Sequence, residues 1–292
     1  AARAAAMPAL GEDDRRRNAW SQPICCRFYF TLAVFFANIA VFFAFLFPLL
    51  RGGVAWLLLA IFVASLASTF LAGLCVTVID PIDPMVLDTK ETPSDEECLH
   101  CRYCVSDVQV DSKHCWECNK CVGNFDHHCP WLNTCIGDRN YIWYYVTIVA
   151  FLAMLGSAIA AAAVPLADLA RHVVIRPELL HGRVAPTMAG LAVVIALDFL
   201  VFTLDLTLVA FHTYLCYAQI TTYEYLTGKV SKRRELARRQ QGDVVLTRQG
   251  AAEQRHGGAP VDGAVARSAA AAAAVVRGPD GDVLALGVED VE

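Results

Sequence analysis

Four long apolar stretches constrain the fold of this chain more than any other feature. Residues 28–50, 54–79 and 141–167 contain no charged side chain, and a fourth apolar run covers 187–220 with three ionisable residues in it. A helix needs about 20 mostly apolar residues to cross the hydrocarbon core of a bilayer. The sequence therefore predicts an all-α, multi-pass membrane protein with four transmembrane helices. The first run is too long for a cleaved signal peptide, and a second span follows it at once.

The three ionisable residues of the fourth run are Asp198, Asp205 and His212. They are seven residues apart, so a helix places them on one face. Ionisable side chains inside a bilayer are costly and are often functional. Two interpretations stay open, namely a proton pathway and a polar seam that faces the interior of the helix bundle.

The distribution of basic residues predicts the orientation in the membrane. Arginines at 15–17 and 27 precede the first span, and a Lys/Arg cluster at 229–239 follows the last. Cytoplasmic segments of membrane proteins carry such clusters, and an even number of spans places both termini on one side. Three arginines in the loop 168–186 oppose this assignment but are outnumbered. We expect both termini and segment 80–140 in the cytosol, with the protein in an endomembrane (ER or Golgi) or the plasma membrane.

The chain divides into five segments by composition. Residues 1–27 are a cytosolic N-terminal segment, and 28–79 are a first transmembrane hairpin of two helices, 28–50 and 54–79. A cytosolic cysteine-rich domain is expected at 80–140, and a second hairpin, with helices 141–167 and 187–220, at 141–220. The tail 221–292 is polar, then rich in Ala, Gly and Arg, and is predicted to be disordered beyond about residue 240. No repeat architecture is evident.

Cysteine and histidine are concentrated in the central segment. Disulfides are disfavoured in the cytosol, so this clustering indicates zinc. "CRYC" and "CWEC" are CxxC knuckles, which aim two thiolates at one tetrahedral ion. Two such ions need eight ligands, so four of the twelve candidates should remain free. The candidates are Cys98, His100, Cys101, Cys104, His114, Cys115, Cys118, Cys121, His127, His128, Cys129 and Cys135.

The stretch "NFDHHCPW" places two histidines, a cysteine and an acid side by side. Adjacent side chains such as His127 and His128 point in different directions, so one can bind metal while the other faces Cys129. A free cysteine beside a histidine, with Asp126 able to orient the imidazole, has the general form of an activated thiol nucleophile. The run could therefore bind metal and catalyse a reaction at once.

These residues resemble a known family. "DHHC" at 126–129, inside "HCWECNKCVGNFDHHCPWLNTCIGDRNY", is similar to the cysteine-rich domain of the DHHC protein S-acyltransferases (palmitoyltransferases). "TTYE" at 221–224 matches the family's TTxE motif. "DPIDP" at 80–84 matches the DPG motif in part, because Ile82 stands in place of glycine. The resemblance covers roughly residues 28–228.

The resemblance implies a site and its cofactors. Cys129 would be the nucleophile, His127 the base and Asp126 the group that orients it. Two structural Zn²⁺ ions would be bound by Cys3His sets, one of Cys101, Cys104, His114 and Cys121 and one of Cys115, Cys118, His128 and Cys135. A shifted first set that includes Cys98 stays possible.

Supporting roles and partners follow from the same resemblance. Thr222 would hydrogen-bond Asp126, Glu224 would brace the zinc domain against the membrane, and Trp131 would lie at the boundary of the acyl chain. The co-substrate would be a long-chain acyl-CoA such as palmitoyl-CoA. The protein substrates would carry cysteines on the cytosolic side next to a membrane, and no nucleic acid is expected.

Several alternatives remain open at the level of sequence. A zinc-stabilised membrane scaffold without catalysis would share the same spans and ligands. A membrane ubiquitin ligase is a weaker possibility, because the interleaved ligand order of a RING domain is absent. The phosphates of CoA need cationic partners, for which Lys113, Lys120, Arg139 or the cluster at 229–239 are candidates.

Overall fold

The computed structural model of the protein describes residues 15–87, 98–171 and 183–229. Four of its helices are long and apolar enough to span a membrane. In chain order the helices are α1 (Cys26–Leu49), α2 (Gly52–Val78), α3 (Pro84–Leu87), α4 (Tyr141–Ala170), α5 (Val184–Ala218) and α6 (Thr222–Thr227). The long helices are α1, α2, α4 and α5, and they correspond to the four apolar runs of the sequence.

The long helices expose apolar side chains on their outer surfaces and bury small ones where they meet. Trp56 on α2 and Leu204 on α5 are 68% and 66% exposed, which suits contact with lipid and would be unfavourable in water. Helix α4 packs against both α2 and α5. Its alanines Ala158, Ala161 and Ala162 are buried in this core, where small residues let the helix backbones approach closely.

Helix α1 is irregular near its end. Its turn at Phe42–Leu46 is a π-helix, and Pro48 follows two residues later. Proline lacks an N–H and its ring collides with the carbonyl four residues earlier, so the helix cannot continue regularly through it. The wider turn leaves Phe42 stacked on Phe62 of α2, with ring centroids 3.6 Å apart.

Three antiparallel hairpins lie in sequence between α2 and α4. Their strands are β1 (Cys98–Cys101), β2 (Ser106–Gln109), β3 (Lys113–Cys115), β4 (Lys120–Val122), β5 (His127–Cys129) and β6 (Thr134–Ile136). Each consecutive pair forms its own two-stranded sheet. The predicted all-α class is therefore corrected to a mostly helical chain with three small sheets. Strands of three or four residues are too short to show a period-two apolar pattern, so the sequence did not reveal them.

Residues before α1 tie the hairpins to α2. The Arg16 N–H donates to the Cys118 carbonyl and the Ala19 N–H to the Thr77 carbonyl, both at 3.0 Å. The side-chain amide of Asn133 donates to the Ala19 carbonyl at 2.6 Å. The described residues before α1 are thus part of the folded unit.

The "DPIDP" stretch makes a second connection between α2 and the hairpins. Asp83 is fully buried and accepts hydrogen bonds from the backbone N–H of Gln109 at 2.8 Å and from the hydroxyl of Ser112. Ile82, which replaces the expected glycine, is 3% exposed and forms a β-bridge with Val122. A large apolar residue is therefore accommodated at this position by packing against the second hairpin.

Some expectations fall outside the described residues. The tail predicted to be disordered beyond about residue 240 is one of them. Most of the basic loop 168–186 and most of the cluster 229–239 are others, since only 168–171, 183–186 and Lys229 are described.

Candidate active site and metal centres

The three hairpins repeat one local pattern. The first strand of each hairpin ends with a His–Cys pair, and these pairs are fourteen residues apart, since 114 − 100 and 128 − 114 are both 14. In every hairpin the histidine pairs across the sheet with the residue seven positions later. The three cross-strand pairs are His100 with Asp107, His114 with Cys121 and His128 with Cys135. The sequence analysis missed this repeat because it is shorter than the periods of repeat proteins.

This repeat brings together a first group of metal-binding side chains. Cys101 and Cys104 of the first hairpin meet the cross-strand pair His114 and Cys121 of the second. The Nδ1 atom of His114 lies 3.4 Å from the Cys104 sulfur and 3.9 Å from each of the other two sulfurs. The sulfurs of Cys104 and Cys121 are 3.7 Å apart. Cys98 lies in β1 opposite Gln109, outside this group.

A second group repeats the arrangement one hairpin later. Cys115 and Cys118 meet the cross-strand pair His128 and Cys135. The Nδ1 atom of His128 is 3.8, 3.4 and 3.6 Å from the sulfurs of Cys115, Cys118 and Cys135. The side chains in the two groups are the same eight, divided in the same way, that the family resemblance implied.

Both groups have the dimensions of a tetrahedral zinc site. With Zn–S bonds of about 2.3 Å and Zn–N bonds of about 2.0 Å, ligand atoms around one ion lie about 3.6 Å (S to N) and about 3.8 Å (S to S) apart. The observed separations of 3.4 to 3.9 Å match these values. Three thiols and one imidazole are also the donor set of structural zinc sites. Both groups therefore fit Zn²⁺.

Cys129 occupies the position in the third hairpin at which a third metal group would begin. The second cysteine of a CxxC knuckle would stand at position 132, which is Leu132. The histidine and cysteine of a fourth hairpin would stand at 142 and 149, which are Ile142 and Val149 of helix α4. The repeat thus ends at Cys129, and its thiol belongs to neither metal group.

The Cys129 side chain lies where the third hairpin meets the helix bundle. It is 6% exposed and packs with Val76 of α2, Tyr144 and Ile148 of α4, and Ile136 of β6. Residues 76, 144 and 148 belong to helices long enough to span a membrane. The thiol therefore faces an apolar environment between α2 and α4.

His127 connects this thiol to an acid. Its Nδ1 atom lies 2.6 Å from Asp126 Oδ2. Cys129 is two residues further along β5, where alternate side chains lie on the same face of the strand. Burial lowers the pKa of His127, but the bond to Asp126 and the nearby Cys129 outweigh burial and raise the pKa to about 9. A raised pKa makes His127 a stronger acceptor for the proton of a neighbouring thiol.

Asp126 is held from the other side by the start of α6. The backbone N–H of Thr222 donates to Asp126 Oδ1 at 2.7 Å, and the Thr222 hydroxyl donates to Oδ2 at 2.8 Å. Burial raises the pKa of Asp126, but the bonds to His127 and Thr222 outweigh it and lower the pKa overall. Asp126 is thus stabilised as a carboxylate although it is only 2% exposed.

The helix that supplies Thr222 is fixed by its own cap. Thr221 accepts from the Glu224 N–H, and the Glu224 carboxylate accepts from the Thr221 N–H at 2.9 Å, which is a capping box. Such a cap stabilises a helix start by about 1 kcal/mol. Glu224 therefore orients Thr222 through the helix, while its predicted bracing role stays a prediction.

Other predicted residues lie in different surroundings. Trp131 is 51% exposed, 6.3 Å between ring centroids from Phe30 at the start of α1. Lys120 was a candidate partner for the CoA phosphates, and the structure rules it out. Its side chain is 1% exposed and its Nζ lies 2.5 Å from Asp80. Lys113 is only partly buried and Arg139 is exposed, so both remain candidates.

A histidine from α5 also reaches the site, and the sequence analysis did not assign it there. His212 is 2% exposed, and its ring centroid is 5.8 Å from that of His127. Its Nδ1 and Nε2 atoms lie 3.1 Å from the Tyr141 hydroxyl and 3.2 Å from the Tyr144 hydroxyl. The seven-residue spacing was the available signal, but it does not say which part of the molecule the face meets.

The region from β1 to α6 also matches a known family. Residues 94–229 fit the family model described as DHHC palmitoyltransferase. The chain carries a DHHC palmitoyltransferase domain. The matched range of the DHHC domain includes both metal groups, Cys129, helices α4 and α5, and Thr222, so the predicted resemblance is confirmed. No curated protein matches the chain.

Proposed function

We propose that the protein is a protein-cysteine S-acyltransferase that moves a long-chain acyl group from acyl-CoA to Cys129 and then to cysteines of other proteins. One observation carries the proposal: Cys129 is outside both metal groups and lies two residues from His127 on the same strand, and His127 is bonded to Asp126. A nucleophile, a base and a group that orients the base are the components of acyl-transfer sites. Membership of the DHHC domain in a palmitoyltransferase family agrees with this chemistry.

In the first step Cys129 attacks the thioester of acyl-CoA. His127 takes the thiol proton, and the Cys129 sulfur forms a bond to the acyl carbonyl carbon. The bond between that carbon and the CoA sulfur breaks, and the CoA thiolate accepts the proton that His127 took from Cys129. Asp126 stabilises the imidazolium in the interval, since their bond is 2.6 Å long and buried charge-assisted bonds are strong.

In the second step the acyl group leaves the enzyme. The thiol of a substrate cysteine gives its proton to His127 and attacks the same carbonyl carbon. The bond to the Cys129 sulfur breaks, and Cys129 receives the proton back. No oxidant or reductant is needed, because one thioester is exchanged for another in each step.

The surroundings of Cys129 suit a substrate with one apolar and one polar end. Burial of each CH2 contributes about 0.8 kcal/mol, so a long acyl chain favours the apolar contacts of the helix bundle over water. Val76, Tyr144 and Ile148 form the apolar side of the thiol's environment. We propose that the chain extends among the helices, that CoA stays in the cytosol, and that Trp131 lies at the boundary between the two.

The metal groups have a structural role in this proposal. Zinc supplies tetrahedral crosslinks to segments that have little apolar core. Cys101, Cys104, His114 and Cys121 would bind one ion, and Cys115, Cys118, His128 and Cys135 the other. The chain's own contribution is to hold His128 and Cys135 opposite each other in the hairpin that carries Cys129.

The proposed location follows from the apolar helices. The protein would be an integral protein of an endomembrane or the plasma membrane, with the hairpins and both termini in the cytosol, where acyl-CoA and reduced thiols are found. Its protein substrates would present cysteines close to that membrane surface. Segments 1–27, 80–140 and 221–292 would be its cytosolic parts.

The decisive experiment is to look for the acyl-enzyme. Purified full-length protein is incubated with palmitoyl-CoA, and the peptide that contains Cys129 is examined by mass spectrometry before and after hydroxylamine. We expect a hydroxylamine-sensitive palmitoyl group on Cys129 and about two zinc ions per chain. The variant Cys129→Ser should keep the zinc and lose the hydroxylamine-sensitive adduct. A wild-type protein that never forms the adduct would instead be a zinc-stabilised scaffold.

A further inference from the structure

A third group of metal-binding side chains lies behind Cys129. One ligand atom from each of Asp126, His127 and His212 lies within 4.8 Å of the other two. They come from the residue before β5, from β5 itself and from the last third of α5. The acyl-transfer steps proposed above use Asp126 and His127 but give His212 no role. Two imidazoles and a carboxylate are a frequent ligand set for zinc with an open coordination position.

Asp126 and His212 are held by hydrogen bonds of the kind that surround metal ligands in proteins. Asp126 receives two hydrogen bonds from Thr222. The two ring nitrogens of His212 are bonded to the hydroxyls of Tyr141 and Tyr144. Ligating histidines usually keep one such bond on the nitrogen away from the metal, which fixes the ring. If either nitrogen of His212 turned to an ion, the other would keep its tyrosine.

The charge of the site favours a cation. Asp126 is 2% exposed, and in the described part of the chain its ion-pair partner is His127, which is charged only when protonated. A buried carboxylate is costly unless it is compensated. A divalent cation would offset the charge of the Asp126 carboxylate.

An ion can enter the site if the ligand atoms shift. Zinc bonds of about 2.0–2.2 Å place neighbouring N and O ligands about 3.3 Å apart. A separation of 4.8 Å, the upper limit in this group, would close by about 1.5 Å, and the 2.6 Å contact between Asp126 and His127 would open by about 0.7 Å. Rotation of the imidazole rings can supply both movements. The His127 side chain is 23% exposed, so an ion can approach from that side without opening the helix bundle.

We propose that Asp126, His127 and His212 form a third zinc site, distinct from the two Cys3His groups, whose occupation stops acyl transfer. An ion on His127 removes the nitrogen lone pair that would accept the Cys129 proton. Free zinc would then act as a reversible inhibitor of the protein. The binding site stands on geometry alone, and only the inhibition rests on the proposed function.

The binding test is zinc stoichiometry. Full-length protein in detergent is equilibrated with buffered free zinc, and the bound metal is measured by mass spectrometry. We expect three ions per wild-type chain at high free zinc and two at low free zinc. His212→Gln, which can still bond a tyrosine hydroxyl, should bind only two over the same range, with affinity for the third weakened by about 100-fold or more.

Matched variants separate ligand loss from damage to the fold. Asp205→Asn changes a buried residue on the same face of α5, seven positions before His212, and should still bind three ions. Asp126→Asn removes a second ligand and should bind two. Two retained ions in His212→Gln show that the hairpins are intact. A wild-type protein that saturates at two ions, or a His212→Gln variant that binds three with unchanged affinity, overturns the proposal.

The inhibition test follows acylation of Cys129 at increasing free zinc. The wild-type rate should fall over the range in which the third ion binds, and the rate of His212→Gln should fall only at zinc about 100-fold higher. Equal inhibition of both proteins contradicts the inhibitory role. If no acyl-enzyme forms under any condition but the third ion still depends on His212, the metal site stands and the proposed acyltransferase function fails.

Discussion

Replacement of Thr222 by valine tests the link between α6 and the proposed nucleophile. Valine has nearly the shape of threonine but lacks the hydroxyl that donates to Asp126 Oδ2 at 2.8 Å. That oxygen also bonds His127 Nδ1. The backbone N–H of residue 222, which donates to Oδ1 at 2.7 Å, remains in the variant. The substitution therefore removes one of the two bonds from Thr222 to the carboxylate.

The size of the effect follows from the charge of the acceptor. A hydrogen bond to an ionised group contributes about 1.5–3 kcal/mol, and each 1.4 kcal/mol in a barrier changes a rate tenfold. Without the hydroxyl, the pKa of Asp126 should rise toward its usual range, and Asp126 should stabilise the His127 imidazolium less. We expect the rate of Cys129 acylation in Thr222→Val to fall by about 10-fold to 100-fold.

The assay is single-turnover formation of acyl-Cys129, with the zinc content measured on the same samples. Thr222→Ser keeps a hydroxyl and should recover most of the rate. Thr227→Val is the matched control, because the Thr227 hydroxyl donates only to the Tyr223 carbonyl of its own helix at 2.7 Å. If Thr222→Val acylates within twofold of wild type, the bond to Asp126 does not contribute to catalysis and the reasoning is wrong.

Three further predictions concern the hairpins. Lys120→Met breaks the pair with Asp80, in which the lysine is 1% and the aspartate 29% exposed, and should lower stability by about 3 kcal/mol; Lys113→Met should change it by less than about 0.5 kcal/mol, and thermal melts in detergent distinguish the two. Gly137→Ala would place a Cβ 2.5 Å from the Val122 side chain, so we expect lower zinc content and a lower melting temperature, and unchanged zinc would contradict this. Removal of zinc by a strong chelator should release about two ions per chain and abolish formation of acyl-Cys129, because the hairpins depend on the metal; full activity of metal-free protein would exclude a structural role for zinc.

Much of the architecture could be predicted because it depends on local composition. Four runs of more than twenty apolar residues form helices whatever their order of packing, since a bilayer leaves no alternative for the backbone. The CxxC spacing likewise brings two thiols together within one turn. The short strands were missed because their pairing depends on metal ligands and turns rather than on an apolar pattern.

The fourteen-residue repeat explains why Cys129 belongs to neither metal group. The sequence analysis counted four surplus ligands but could not say from spacing which they were, and it used the family resemblance to choose. In the folded hairpins the His114–Cys115 pair joins the first metal group to the second, whereas in the last pair His128 belongs to the second group and Cys129 to neither. A third metal group would need ligands from a fourth hairpin, but helix α4 begins at Tyr141 in its place.

Composition, length and spacing alone determined the membrane helices, the cluster of cysteines and histidines, and the stretch that contains Cys129. The tertiary structure decided which side chains distant in sequence contact the stretch that contains Cys129. Thr222 and His212 are 96 and 86 residues from Asp126 in sequence (222 − 126 and 212 − 126), and both approach that carboxylate only because α5 and α6 pack beside the third hairpin. Lys113 and Lys120 both lie in the second hairpin, yet only Lys120 is enclosed and paired with Asp80. Such contacts depend on how the helices and hairpins pack, and no short stretch of sequence carries that information.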